Sequence, residues 1–482
     1  MSDLPQGWIE IPLEKLAGPE GLVTDGDWVE SKDQDPNGEV RLIQLADVGV
    51  NEFRDRSERF LTSDKALELR CSFLEKGDVL IARMPDPIGR ACVFPGLGQS
   101  AVTVVDVMLW RSDSALSIPA WLAFIMNSPD VRASILTETS GTTRQRISGG
   151  RLKALNIPTP PLAEQRRIVV KLNALDASSK RARADLDRIP ALVARAKQAI
   201  LAKAFSGELT ADWRLHNSEK SVSALLDEIG VDAISSSVPL PRGWAWVLAG
   251  EICEVKGGLA LGKKRSQDVE LVEKPYLRVA NVQRGWLTLD QIKTVLVTPD
   301  EARSLELKAG DILMNEGGDR DKLGRGWVWE GQIAGCIHQN HVFRLRLRSG
   351  KIEPKFISIY ANAFGQDYFL DQGKQTTNLA SISMSKIRAL PLPLASPDEM
   401  CEIFHRIESA FAKIDRIAAE AASASKLLDR LDQALLSKAF RGELVPQDPD
   451  DEPASELLAR IQSARAAAPK AKRTRKTKEK TP

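Results

Sequence analysis

Cysteine is scarce in this chain, and its five thiols, Cys71, Cys92, Cys253, Cys336 and Cys401, stand singly with no Cys-x-x-Cys pair. An odd number without paired spacing argues against a disulfide framework and for a reducing, cytoplasmic setting. Long apolar runs are missing as well. No stretch approaches the roughly 18 apolar residues of a membrane span, and Met1-Ser2-Asp3-Leu4-Pro5-Gln6 has no basic segment leading into an apolar core. The expectation is a soluble, unexported protein with no membrane partner. Nor is there an excess of charge of one sign: 67 basic against 65 acidic side chains leave a net +2. That balance removes the crude argument for a nucleic-acid partner and still allows a local basic groove. No Ser-His-Asp set is legible, and the Asn/Asp-Pro-Pro-aromatic segment with which adenine methyltransferases hold a flipped base is missing. The chain reads as non-enzymatic.

What is present is a duplication. Lys203-Ala204-Phe205-Ser206-Gly207-Glu208-Leu209 returns as Lys438-Ala439-Phe440-Arg441-Gly442-Glu443-Leu444. At the same offset Arg151-Leu152-Lys153-Ala154-Leu155 falls on Lys386-Ile387-Arg388-Ala389-Leu390, and Ile88-Gly89-Arg90 on Leu323-Gly324-Arg325. With small register drift, Leu4-Pro5-Gln6-Gly7-Trp8 matches Leu240-Pro241-Arg242-Gly243-Trp244, and Gly77-Asp78-Val79-Leu80 matches Gly310-Asp311-Ile312-Leu313. Two copies imply two equivalent sites.

The predicted organisation follows the copies, and the fold class is α+β. Residues 1–158 and 239–394 read as mixed domains with short-strand sheets, from runs such as Val40-Arg41-Leu42-Ile43-Gln44-Leu45 and Ala101-Val102-Thr103-Val104-Val105 bounded by turn residues. Residues 159–208 and 395–444 carry apolar side chains at helical spacing. Their predicted seam is Ile168, Leu172, Leu192, Ile200 and Phe205 in the first helix, and Ile403, Ile407, Phe411, Leu431, Leu435 and Phe440 in the second. Ser396, Pro397 and Glu399 form a capping-box signature at the second start, and Gly207 and Gly442 are placed to end the helices in the left-handed conformation. A helix of about 44 residues is about 66 Å long and needs a partner along its length. An antiparallel pair, each copy supplying the other's partner, is the economical solution; an intermolecular coiled coil is the alternative. Pro190 should kink or split the first helix near Arg188. Residues 209–238 and 445–482 are expected to hold a short helix each, the first followed by a linker and the second by a basic tail too poor in apolar residues to fold.

The motifs that could carry chemistry are near misses. Gly257-Gly258-Leu259-Ala260-Leu261-Gly262-Lys263-Lys264 almost spells a P-loop, but Lys264 stands where a hydroxyl must hold magnesium. The first copy, read as Gly21 to Gly26, keeps only the glycine spacing. Asp300, Glu306 and Lys308 resemble a metal-dependent nuclease set that the first copy lacks. His338 and His341 have no third ligand for zinc, so no metal is expected. Suitable side chains for reading duplex DNA do recur in loops of both copies. They are Arg83, Arg90, Thr142, Thr143, Arg144 and Arg146 in the first, and Lys263, Lys264, Arg265, Asn315, Arg320, Lys322, Arg325, Lys374, Gln375, Thr376, Thr377 and Asn378 in the second.

Leu-Pro-x-Gly-Trp opening each half, the Gly-Asp-Val/Ile-Leu strand, Pro160-Pro161-Leu162-Ala163-Glu164-Gln165-Arg166 leading into a long helix and Lys-Ala-Phe-x-Gly-Glu-Leu closing it resemble the specificity subunit of type I restriction-modification systems. The likeness runs from Leu4 to about Ile461; Ser396-Pro397-Asp398-Glu399-Met400 departs from the helix-start motif. It implies a non-catalytic subunit with two target-recognition domains, each reading one half of an interrupted, asymmetric sequence in double-stranded DNA. It also implies helices that set the gap and dock two methyltransferase subunits, joined by restriction and translocase subunits. S-adenosylmethionine, ATP and Mg would then be bound by those partners and no cofactor by this chain. The competing readings are a coiled-coil scaffold without DNA readout, and a nuclease or nucleotide hydrolase.

Overall fold

In the computed structural model, residues 4–113, 115–141, 145–262, 270–318, 323–372, 374–375 and 380–467 are described. They form two compact units, Met1–Asp187 with Ala422–Pro482, and Arg188–Ala421. Each is an α+β unit built on the same plan.

In the first unit a four-stranded antiparallel sheet has the order Leu22–Thr24, Val107–Arg111, Val79–Ala82, Ala91–Val93. A second sheet sets Val40–Ile43 between antiparallel Phe60–Leu61 and parallel Ala101–Thr103. Ile9–Pro12 pairs with Asn156–Thr159 and so brings the two ends of the mixed domain together. The second unit repeats every step. Its four strands are Cys253–Lys256, Val342–Leu347, Ile312–Asn315 and Gly326–Val328. Its three are Lys293–Val297, Val272–Leu277 and Ile337–His338, and Ala245–Leu248 pairs with Pro391–Leu394.

The apolar runs that predicted strands become fully buried ones, Val79–Ala82 and Val40–Ile43 among them. Packing also fixes the copy alignment at one place where spacing misleads. Gly26 and Gly258, not Gly26 and Gly262, are equivalent: a Cβ on either would lie 2.0 Å from a carbonyl oxygen, of Val104 and His338 respectively. Each is followed by a parallel bridge, Asp27 to Val104 and Leu259 to Gln339. Gly26 and Gly258 therefore serve close backbone approach, while Gly262 is a left-handed turn glycine with nothing within 4 Å of its Cβ position.

Helix α1 (Leu162–Leu186) and helix α2 (Ile189–Phe205) are separate elements, with Pro190 in the first turn of α2. Helix α3 spans Pro397–Ala439 without interruption. In the first unit α1 runs antiparallel to the last part of α3: Ser179 Oγ donates to Asp432 at 2.8 Å, and Arg183 pairs with Asp429 and Asp432 at 2.5 and 2.6 Å. In the second, α2 runs antiparallel to the first part of α3, with Lys197 on Asp415 at 2.6 Å. The division at Asp187 and Ala421 cuts across the repeats because each Lys-Ala-Phe segment completes the core of the other copy's mixed domain. Phe440, Ala439 and Leu457 pack with Trp8, Trp110 and Trp121 in the first unit. Phe205, Val222 and Leu225 pack with Trp244, Phe356 and Leu392 in the second, where the Phe205 ring lies 5.0 Å from Phe356.

Of the predicted seam, Ile168, Leu172, Phe205, Ile403, Ile407 and Phe440 are buried, and Ile200, Phe411 and Leu435 half-buried. Leu192 and Leu431 correct the prediction: they are 56% and 49% exposed. Leu436, one position from the predicted Leu435, is the buried side chain. Away from the mixed domains two helices alone cannot enclose a third layer, so the apolar stripe there is only half covered.

Candidate nucleic-acid interface

The framework motifs hold the loops in place. Trp8 Nε1 donates to Glu164 Oε2 at 2.9 Å, and Trp244 Nε1 to Glu399 Oε2 at 2.9 Å. The irregular second helix start thus keeps the one carboxylate that ties Leu-Pro-x-Gly-Trp to its helix. Ser396 Oγ accepts from the Glu399 backbone N–H at 3.4 Å, but the Glu399 carboxylate leaves the expected capping box for Trp244, Thr210 and Arg214. The Gly-Asp strands begin on a second shared device. Asp78 takes Arg111 Nε and Nη2 at 2.7 and 2.8 Å, and Asp311 takes Arg346 Nε and Nη2 at 2.7 Å each. These are bidentate, charge-assisted bonds.

Arg90 and Asn315 belong to this scaffold and not to an exposed reading surface. Arg90 is 5% exposed and donates to the carbonyls of Leu45, Val48, Met84 and Pro87; burial holds its guanidinium below the usual arginine range. Asn315 is fully buried, its amide on the carbonyls of Val279 and Val282. Arg325, the counterpart of Arg90, reaches the carbonyl of Val279. His338 is buried on the carbonyl of Val342, and desolvation pushes its pKa down to about 4. Among the described residues no group of His, Cys, Asp and Glu could hold a metal ion. Asp300 pairs with Arg303 on its own helix, and the Lys308 backbone N–H donates to Asp311, so the nuclease-like set is dispersed.

The remaining polar groups gather where strands end. In the first unit Arg83 Nη1 lies 2.7 Å from Asp25, and Arg146 Nη2 2.8 Å from Asp106. Arg83 is buried, whereas the Arg146 side chain is 40% exposed. In the second unit Glu316 and His341 pair at 2.6 Å. Thr142, Thr143, Arg144, Lys263, Lys264, Arg265, Arg320, Lys322, Thr376, Thr377 and Asn378 lie outside the described residues. Lys374 and Gln375 form a short strand with Ala380–Ser381. Sequence reasoning missed Asp25, Asp106 and Glu316. Their signal was position: Arg83 and Glu316 stand at the same distance after Asp78 and Asp311.

The family model for the type I restriction modification DNA specificity domain matches residues 50–188, which include Arg83, Asp106 and Arg146. The chain is 27% identical to the specificity subunit of the type I restriction enzyme EcoKI from Escherichia coli K12, over 75% of each chain. It is 29% identical to the StySPI specificity subunit from Salmonella potsdam, over 74% of each. These likenesses point to the specificity subunits of type I restriction enzymes. A solved chain described under complex assembly and conformational transition of the type I R-M system shares the fold of this chain, with a TM-score of 0.63 at 19% identity, covering 92% of this chain and 100% of that one. All five cysteines of the chain are free, four of them buried, and no described helix is long and apolar enough to cross a membrane.

Proposed function

We propose that the chain is the DNA-reading, non-catalytic subunit of a type I restriction-modification complex in a cytoplasmic setting. Each mixed domain reads one half of a bipartite double-stranded target, and the helices carry two methyltransferase subunits to which restriction and translocase subunits add. S-adenosylmethionine, ATP and Mg belong to those partners. The supporting observation is that two units with one strand order and one set of framework bonds end in loops of different charge. A constant scaffold with divergent side chains at its strand ends suits reading two different base sequences.

Base-modification sequencing of DNA from cells expressing this chain with a type I modification subunit tests the reading. The expected result is one interrupted, asymmetric motif that disappears when this chain is omitted. A palindromic motif would refute two different half-sites, and methylation independent of this chain would refute the reading as a whole.

A further inference from the structure

The two units place opposite polarity at the same point of the same framework. Arg83 N–H donates to the carbonyl of Asp106 at 2.9 Å, and Glu316 N–H to that of His341 at 2.9 Å. The carbonyls of Arg83 and Glu316 in turn accept from Ile147 and Ile382, at 3.1 and 2.8 Å. Hence Arg83 corresponds to Glu316, Asp106 to His341, and Arg146 to Ser381. A fourth exchange adjoins them. The first unit sets Asp25 over Gly149, whose Cβ would fall 2.2 Å from the carboxylate; the second sets Gly257 beside Met384, a Cβ on Gly257 falling 3.9 Å from the sulfur.

The first cluster is rich in donors. The buried Arg83 and the half-exposed Arg146 contribute two guanidiniums, and neither Nε has a hydrogen-bond acceptor. Arg83 is held by Asp25, and the Arg146 side chain, 40% exposed beside Asp106, is the donor this cluster presents to solvent. Acceptors dominate the second. With His341 Nδ1–H donating to the Glu316 carboxylate, Nε2 is left as an acceptor, consistent with the Asn340 amide nitrogen 3.4 Å away. The His341 and Glu316 side chains are 54% and 29% exposed.

Guanine offers only acceptors, O6 and N7, to the major groove, and arginine is their usual partner; cytosine offers its N4 amino donor, for which glutamate is the usual acceptor. We infer that this strand-end cluster is a base-discriminating point in each domain, with Arg146 selecting a guanine in the first half-site and Glu316 with His341 selecting a cytosine in the second. The inference rests on the DNA-reading function proposed above and names residues and bases within it.

The test measures competition of single-substitution duplexes for the full chain bound to its modification subunit, for wild type, Arg146→Ala and Glu316→Gln. A wild-type complex that prefers no sequence would overturn the DNA-reading function itself. Given a wild-type motif, Arg146→Ala should lower discrimination at one guanine of the first half-site by on the order of tenfold and leave the second half-site unchanged. Glu316→Gln should do the same at one cytosine of the second half-site alone. Unchanged discrimination everywhere, or equal weakening at every position, overturns the inference. Should Arg146→Ala fail to fold, Arg146→Lys keeps a cation beside Asp106 but lacks the guanidinium fork. It should show the same loss, and retention of full discrimination would overturn the assignment.

Discussion

Glu164 and Glu399 hold the same tryptophan bond in two different settings, and the setting of Glu164 makes its contribution depend on pH. Glu399 is compensated by Arg214 and Thr210. Glu164 is 1% exposed, its Oε1 has no hydrogen-bond partner, and desolvation raises its pKa. A folded-state pKa above the unfolded one means that this group's contribution is fully present below the ordinary carboxylate pKa. It is lost as pH rises through the folded value. Glu164→Gln should therefore change stability at neutral pH by no more than about 1 kcal/mol and flatten the acid-to-neutral dependence of the first unit's unfolding. Glu399→Gln leaves Arg214 uncompensated and should cost about 2–4 kcal/mol. Urea unfolding across pH, followed by Trp fluorescence, checks both. The sequence displayed both partners of each bond within its repeated motifs, but nothing local joins Trp8 to a glutamate on a distant helix. In the same way Arg90 looked like a reading side chain, since a guanidinium sequestered by four carbonyls has the same letter as an exposed one.

Elements were more legible than contacts. The strands Val79–Ala82 and Ala101–Thr103, the helix break before Pro190 and the left-handed Gly207 and Gly442 all follow from local chemistry. Burial along a long helix depends instead on what lies across from it, which is why Leu436 replaces Leu435 in the core and Leu431 remains half exposed. Leu436→Ala should destabilise the first unit by about 2–4 kcal/mol through the cavity it leaves. Leu431→Ala, which buries little, should cost less than about 1 kcal/mol. Differential scanning calorimetry of the two variants separates these outcomes; equal losses would show that the seam is continuous after all.

For the whole molecule, the repeats and the compact units are different partitions of one chain. The sequence revealed the copies, yet only packing shows that each closing segment belongs with the other copy's mixed domain. Arg188–Ala421 is a continuous stretch with its own core. Expressed alone, it should unfold cooperatively with an m-value appropriate to its size. A chain ending at Ala421 should keep that transition and lose the other, because Leu436, Phe440 and Leu457 would be missing from the first core. Loss of both transitions in the shortened chain would contradict this division. The hydrogen bond from the Ala454 N–H to the carbonyl of Gly7, 2.9 Å long, closes the first unit with residues from near the opposite end of the sequence. On a ribosome, where N-terminal domains ordinarily fold first, this order is reversed. The domain made first must wait, its Trp8 and Trp121 core incomplete, until translation has passed Leu457, while the domain made second can already be finished.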